Sequence, residues 1–161
     1  MANKNIPFNQ EAEKGVIGSI LLDPNKYYGV SHIVKATDFY DSRNKHCWEC
    51  ITDYMNSHAV LDMITFVDYL KDKNKLRAVG SENYLLELMD STIVASHSQY
   101  YAKLVIEDSQ LRKQIKLYED ALTNTYKYKE DSSDTLIAQL MKTDREVNYS
   151  TDDIKVSLES S

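Results

Sequence analysis

Residues that interrupt helices are scarce in this chain. Its 161 residues include four glycines and two prolines. Apolar residues recur at three- and four-residue spacing, with almost no alternation of period two. These features exclude a β-sheet architecture and predict an all-α fold.

Long apolar runs and cysteines are also few. No apolar run reaches the roughly 18 residues that a membrane span requires, and no apolar signal core follows the N-terminal residues Met1 to Asn5. The two cysteines, Cys47 and Cys50, are too few for a disulfide framework and are typical of a reducing compartment. The sequence therefore predicts a cytoplasmic protein that has no membrane partner.

Positive charge is not in excess. The chain has 25 acidic and 19 basic residues, a net charge of −6, so its overall potential repels a phosphate backbone. The alternation of tyrosine and lysine from Tyr126 to Lys129 could stack on single-stranded nucleic acid, but it is one tetrapeptide beside an acidic turn. The twelve tyrosines fit protein contacts better, and we expect weak or no direct DNA binding.

Signatures of catalysis and of metal binding are missing as well. No phosphate-binding G-x-x-x-x-G-K-[ST] motif occurs in the chain. The C-x-x-C of Cys47 and Cys50 has no second ligand pair for zinc and no preceding strand for a redox site, which favours buried core thiols. Gly15 and Gly18 fall inside an amphipathic helix, where close packing explains them. The sequence therefore predicts a chain that is not an enzyme and has no cofactor or metal of its own.

Five short helices are predicted in a globular head over residues 1–95. Asn9 has the position of an N-cap, with acidic residues after it in the first helical turn. Asp62 has the position of the N-cap of the fourth helix, and Gly80-Ser81 opens the fifth.

A helical hairpin is predicted over residues 96–147. A long helix spans about 96–129, and a return helix spans about 133–145. Residues 148–161 follow as a linker or tail, or as a helix that needs a partner. The long helix has apolar residues at alternating steps of three and four, as in a coiled-coil seam. Because the predicted return helix is about half as long, part of this seam would stay uncovered. The predicted subunit interface therefore consists of Tyr101, Leu104, Leu111, Ile115, Tyr118 and Leu122.

The return helix carries a second apolar set. Adaptable leucine and methionine side chains suit a groove that receives a partner. The predicted partner-docking residues are Leu136, Ile137, Leu140 and Met141.

A series of short residue patterns occurs along the chain in an order and spacing that resemble those of a known protein family. The series comprises Pro7, Glu11-Ala12-Glu13, Leu21-Leu22-Asp23, Asp38-Phe39-Tyr40, Leu61-Asp62, Gly80, Tyr84-Leu85, Tyr101-Ala102 and Leu111-Arg112. It resembles the N-terminal domain of the DnaB-type replicative DNA helicases. Asn44 stands where that family usually has histidine, Trp48 where it has phenylalanine, and Ser81 where it often has a second glycine. These departures suggest a diverged member from a bacteriophage or a plasmid.

The resemblance implies a non-catalytic oligomerisation and docking domain in DNA replication. In such helicases this domain pairs subunits in the N-terminal collar of a hexameric ring and docks the C-terminal domain of primase within the primosome. A helicase loader is a further implied partner, and the location would be the nucleoid-associated replication machinery. ATP and Mg would belong to a motor domain of the full-length helicase, from which this chain would be a fragment. The alternative is a stand-alone phage-type protein that loads, caps or inhibits a host helicase. An unrelated enzyme is disfavoured.

Overall fold

The computed structural model describes residues 5–57, 60–128 and 133–159. In these segments the chain forms α-helices and short 3-10 turns without any strand, which confirms the all-α prediction. Two 3-10 turns cover Ala36–Asp38 and Ala95–His97. The helices are α1 (Gln10–Leu22), α2 (Lys26–Val30), α3 (Ser42–Ser57), α4 (Met63–Asp72), α5 (Glu82–Ser91), α6 (Ser98–Lys127) and α7 (Ser133–Glu159).

Two predicted caps are confirmed. The Asn9 side chain accepts a hydrogen bond from the backbone N–H of Ala12 at 2.9 Å and so begins α1. Asp62 accepts from the backbone N–H groups of Ile64 at 3.0 Å and of Thr65 at 3.1 Å, at the start of α4. Each cap satisfies N–H groups that have no partner inside their own helix.

Residues Pro7–Ser109 form one compact unit, which we call the head. Its core is built around α1, where Val16, Ile17 and Ile20 are completely buried. Trp48 is 4% exposed, and its ring centroid lies 5.8 Å from that of Tyr27. The head thus contains a continuous apolar core to which α1, α3, α4 and α5 all contribute.

The two glycines of α1 mark close helix packing, as predicted. A Cβ atom on Gly15 would lie 2.7 Å from Cδ2 of Tyr101. A Cβ atom on Gly18 would overlap the carbonyl group of Leu88 and the side chain of Thr92. A larger side chain at either position would therefore force α1 away from its neighbours.

The buried Glu13 connects three parts of the head. Its carboxylate accepts from the backbone N–H of Tyr40 at 2.6 Å, from that of Asp41 at 3.2 Å and from Nδ2 of Asn44 at 3.0 Å. Asn44 in turn accepts from the Tyr84 hydroxyl at 2.9 Å. The Asn44 side chain can donate and accept at once, and both roles are used here.

The two cysteines are core residues. Cys47 is fully buried and Cys50 is 5% exposed. Burial raises the pKa of the Cys47 thiol, so the reactive thiolate is disfavoured. Among the described residues, no group of three or more histidine, cysteine, aspartate or glutamate side chains could hold a metal ion.

The first turns of α6 belong to the head, whereas a division between residues 95 and 96 was expected. Ala102 and Val105 are buried, and the Ser109 hydroxyl donates to Oδ1 of the buried Asp38 at 2.6 Å. A second compact unit contains residues 110–161 together with the N-terminal residues 1–6. The helix pattern alone did not show where the head ends because α6 runs through that point without a break.

The return helix is longer than expected. The helix was expected to end near residue 145, with a linker, a tail or a separate helix from 148, whereas α7 continues to Glu159. Serine, threonine and asparagine lower helix propensity in this stretch, but it contains no proline or glycine that would end the helix. Residues 130–132, between the two predicted helices, lie outside the described residues.

Candidate subunit and partner interface

Four large apolar side chains are exposed on one side of α6. Leu111 is 53% exposed, Ile115 38%, Tyr118 52% and Leu122 57%. Their spacing of four, three and four residues places them on one stripe of the helix. We call these four residues the α6 face.

The other two predicted interface residues have a different environment. Tyr101 and Leu104 are partly buried and pack against the core of the head. The Tyr101 ring is the group that a larger residue at position 15 would meet. Both residues lie in the turns of α6 that belong to the head, so only the later part of the predicted seam is exposed.

A separate stripe of partly buried side chains runs along α6. It contains Gln110, Gln114, Leu117, Ala121, Asn124 and Tyr128. The matching stripe on α7 contains Leu136, Gln139, Thr143 and Val147. Counted from the connection between α6 and α7, the residues of each stripe are three or four positions apart, so the two stripes have nearly the same spacing. We infer that α6 and α7 pack on each other through these stripes, which lie on a different side of α6 from the α6 face.

Sequence reasoning predicted the hairpin but not the side of α6 on which α7 packs. The half-length return helix, which was expected to leave the seam uncovered, is not observed; the α6 face is exposed because α7 packs elsewhere. Glutamine, asparagine and alanine carry little apolar signal, so the stronger stripe of leucine, isoleucine and tyrosine drew the prediction. The available signal was weak, because Leu117, Ala121 and Tyr128 recur at spacings of four and seven residues.

Two buried polar atoms occur in the internal contact. Oε1 of Gln114 and Oε1 of Gln139 are buried, and neither has a hydrogen-bond partner among the described residues. A buried acceptor without a partner costs about 1–3 kcal/mol. The hairpin contact is therefore less favourable than an apolar one of the same size.

The predicted docking residues divide between two sides of α7. Leu136 is partly buried and belongs to the internal stripe. Ile137 is 54% exposed, Leu140 39% and Met141 62%. Met141 also lines an open groove of about 350 Å³ together with Ala138, Asp144 and Arg145. Three of the four predicted docking side chains are thus accessible.

The tyrosine–lysine tetrapeptide is not a uniform surface. Tyr126 is 76% exposed, whereas Tyr128 is partly buried in the internal stripe. Lys129 lies outside the described residues. The alternation of tyrosine and lysine therefore does not present two equivalent rings for stacking.

No helix in the described segments has the length and apolar character needed to cross a membrane.

Relatives of known identity match this chain in sequence. It is 30% identical over 131 residues to the replicative DNA helicase DnaB of Geobacillus stearothermophilus, a match that covers 81% of this chain. It is 30% identical over 141 residues to the replicative DNA helicase DnaC of Bacillus subtilis (strain 168), covering 88% of this chain. The chain spans 29% and 31% of the length of these two relatives.

Solved structures share the fold. The N-terminal domain of the DnaB helicase from Mycobacterium tuberculosis superposes with a TM-score of 0.79 at 23% identity, covering 89% of this chain and 99% of that one. A DnaB-like replicative helicase, described together with its interactions with primase, gives a TM-score of 0.69 at 21% identity. The latter match covers 88% of this chain and 31% of that one. Residues 5–107 match the family described as the DnaB-like helicase N terminal domain, and the chain belongs to that family.

Proposed function

We propose that this chain is a non-catalytic domain of a replicative helicase that pairs subunits and docks a partner. The observation that carries this function is the α6 face, in which four large apolar side chains are exposed. In such an assembly the chain pairs with a second copy of itself, and pairs of subunits build up a hexameric ring. The domain acts at the nucleoid-associated replication machinery in the cytoplasm.

The size of the α6 face is sufficient for a pair of subunits. Full burial of a leucine or isoleucine side chain contributes about 1.5–3 kcal/mol. Because these side chains are already about half buried, four from each of two copies would contribute about 6–12 kcal/mol, which still exceeds the lower end of the roughly 4–15 kcal/mol that association is estimated to cost. We therefore expect a micromolar dimer, which larger contacts in a full-length helicase would strengthen.

Sedimentation velocity at micromolar concentration tests the pairing. The unmodified chain should sediment as a dimer or a larger species. Replacing both Leu111 and Ile115 with aspartate should give monomers. Lys127→Asp is the matched control, because it changes the net charge by the same amount at an exposed position away from the α6 face. A chain that stays monomeric up to millimolar concentration would contradict the proposal.

Partner docking is assigned to the exposed residues of α7. The solved DnaB-like helicase that shares this fold is described with its interactions with primase. By analogy, we expect the C-terminal domain of the cognate primase to bind this chain at Ile137, Leu140 and Met141. A helicase loader is the second partner that such a surface would serve.

Calorimetry with the primase C-terminal domain tests the docking. Replacing Ile137 and Met141 with aspartate should abolish binding, while Lys142→Asp, with the same change in net charge, should preserve it. Binding to an intact host helicase ring but not to primase would instead support a stand-alone loader or inhibitor. Any ATP and Mg requirement would belong to a motor domain, so the chain alone should not hydrolyse ATP.

A further inference from the structure

A small cleft on the head lies beside the start of α1. Its lining residues are Phe8, Gln10, Glu13, Tyr40 and Asp41, and its volume is about 220 Å³. Pockets that hold small-molecule ligands are usually larger, at roughly 300–1,000 Å³. The cleft therefore has a size that suits one side chain of another protein. We call it the α1 cleft, and it contains none of the residues assigned to subunit pairing or to partner docking on α7.

A buried carboxylate lines the α1 cleft. Glu13 is 2% exposed, and no basic side chain among the described residues forms an ion pair with it. Charged side chains are almost never buried unless they are paired. Asp41, the other acid in the cleft, already has a cationic partner, since its Oδ2 accepts from Nη2 of Arg43 at 2.7 Å. Glu13 therefore supplies a negative charge that no described residue of this chain balances.

The Glu13 carboxylate can still accept a further hydrogen bond. A carboxylate has about four lone-pair positions, two on each oxygen. Oε2 accepts two hydrogen bonds, from the backbone N–H of Asp41 and from Nδ2 of Asn44. Oε1 accepts one, from the backbone N–H of Tyr40, so it has one position for a donor that enters the cleft. The side-chain oxygen of Gln10, an exposed residue of the cleft, can accept a second hydrogen bond from the same group.

Two aromatic rings also line the α1 cleft. The rings of Phe8 and Tyr40 stack with their centroids 4.7 Å apart and 18° between their planes, and both side chains are about half exposed. A guanidinium group is planar, stacks on aromatic faces and carries N–H donors in a fixed fork, whereas an ammonium group is a compact and strongly hydrated charge. We propose that the α1 cleft binds an arginine side chain of a partner protein. Its guanidinium group donates to Glu13 and Gln10 and packs against the two rings.

Titration of the full chain with N-acetyl-arginine amide, followed by NMR, tests the site. The backbone N–H of Tyr40 and the side-chain amide of Asn44 both donate to Glu13, so their resonances should shift as this probe binds. N-acetyl-citrulline amide has nearly the same shape without the charge, and it should bind at least about tenfold more weakly. N-acetyl-lysine amide keeps the charge but has no planar group that stacks, and it should bind about threefold more weakly than the arginine probe.

Substitutions locate the binding site of the probe. Phe8→Ala removes a half-exposed ring and should weaken arginine binding about fivefold. Tyr100→Ala is the matched control, because it removes an exposed ring of the head that does not line the cleft, and it should leave binding unchanged. Glu13→Gln should abolish binding, and the fluorescence of the buried Trp48 shows whether this variant is folded. Gln10→Ala changes an exposed position, so it tests the same site without risk to the core and should weaken binding about threefold.

The outcomes distinguish the possible occupants of the α1 cleft. Binding that prefers the arginine probe and weakens in both Phe8→Ala and Gln10→Ala would support the inference. Equal affinities for the arginine and citrulline probes, or an affinity that both substitutions leave unchanged, would overturn it. If the Tyr40 and Asn44 resonances shifted on raising the chain concentration without any probe, a second copy would occupy the cleft, and the assignment to a partner protein would be wrong. None of these outcomes depends on pairing through the α6 face.

Discussion

Ser81 adopts a backbone conformation that favours glycine, and replacing it should stabilise the head. Its φ is 87° and its ψ is 168°, immediately before α5. A residue with a side chain in this region costs of order 1–3 kcal/mol. Glycine removes that cost but loses about 0.4–1 kcal/mol through the greater entropy of its unfolded chain. We expect Ser81→Gly to raise the free energy of unfolding by about 1 kcal/mol, or the melting temperature by about 2–4 °C.

Urea denaturation followed by tryptophan fluorescence is the appropriate measurement. Trp48 is the single tryptophan and is buried in the head, so its emission reports on the unfolding of that unit. Ser91→Gly is the matched control, because it makes the same chemical change in the last turn of α5, where the loss of helix propensity and of the hydrogen bond from the Ser91 hydroxyl to the Leu88 carbonyl should destabilise by about 0.5–1 kcal/mol. Gly80 has a φ of 97°, and Gly80→Ala should also destabilise. Equal destabilisation by Ser81→Gly and Ser91→Gly would refute the assigned conformation.

Three further predictions concern the hairpin, acid stability and DNA. Gln139→Leu removes a buried acceptor without a partner and should stabilise the hairpin by about 1 kcal/mol in thermal unfolding followed by circular dichroism; unchanged or lower stability would contradict the packing of the two stripes. The Arg43 side chain donates to the Asp41 carboxylate at 2.7 Å and lowers the pKa of that carboxyl. The stabilisation of the folded head by this carboxylate is therefore fully present above the unfolded pKa near 4. It is lost as the pH falls through the lower pKa of the folded state. Asp41→Asn should therefore flatten the fall in stability below about pH 4 in acid titrations. Fluorescence anisotropy should show weak binding of single-stranded DNA, and nanomolar affinity at physiological salt would redirect attention to Tyr126.

Local signals in the sequence were sufficient for much of the fold. The N-caps at Asn9 and Asp62 depend on hydrogen bonds to N–H groups two or three residues away, so they can be read from neighbouring residue types. Gly15 and Gly18 lie on a helix that is otherwise apolar, and close packing is the usual reason for glycine there. The all-α fold could also be predicted, because glycine and proline, which interrupt helices, are scarce in the chain.

Contacts between distant residues could not be predicted. Glu13 was expected to favour the start of its own helix, whereas its carboxylate also accepts N–H groups that precede α3. The Ser109 hydroxyl bonds to Asp38, which is far away in the chain. In the sequence, the residues of these two contacts look like ordinary polar surface residues. Only the folded structure shows that they are partners. The positive φ of Ser81 did not follow from the residue itself, since serine is common in turns of every type, and its only signal was that it stands where the resembled family often has a second glycine.

The candidate interface, too, could be predicted only in part from the sequence. The apolar recurrence on α6 was visible in the sequence, but the side covered by α7 was not, because glutamine and alanine give no strong apolar signal. The two surfaces of α6 carry separate consequences. Changes at Gln139 should alter the stability of the hairpin and leave self-association unchanged, whereas changes at Leu111 should do the reverse because this exposed residue contributes little to folding. If one change altered both properties, the α6 face and the internal stripe would be a single surface, and the proposed pairing would require the hairpin to open.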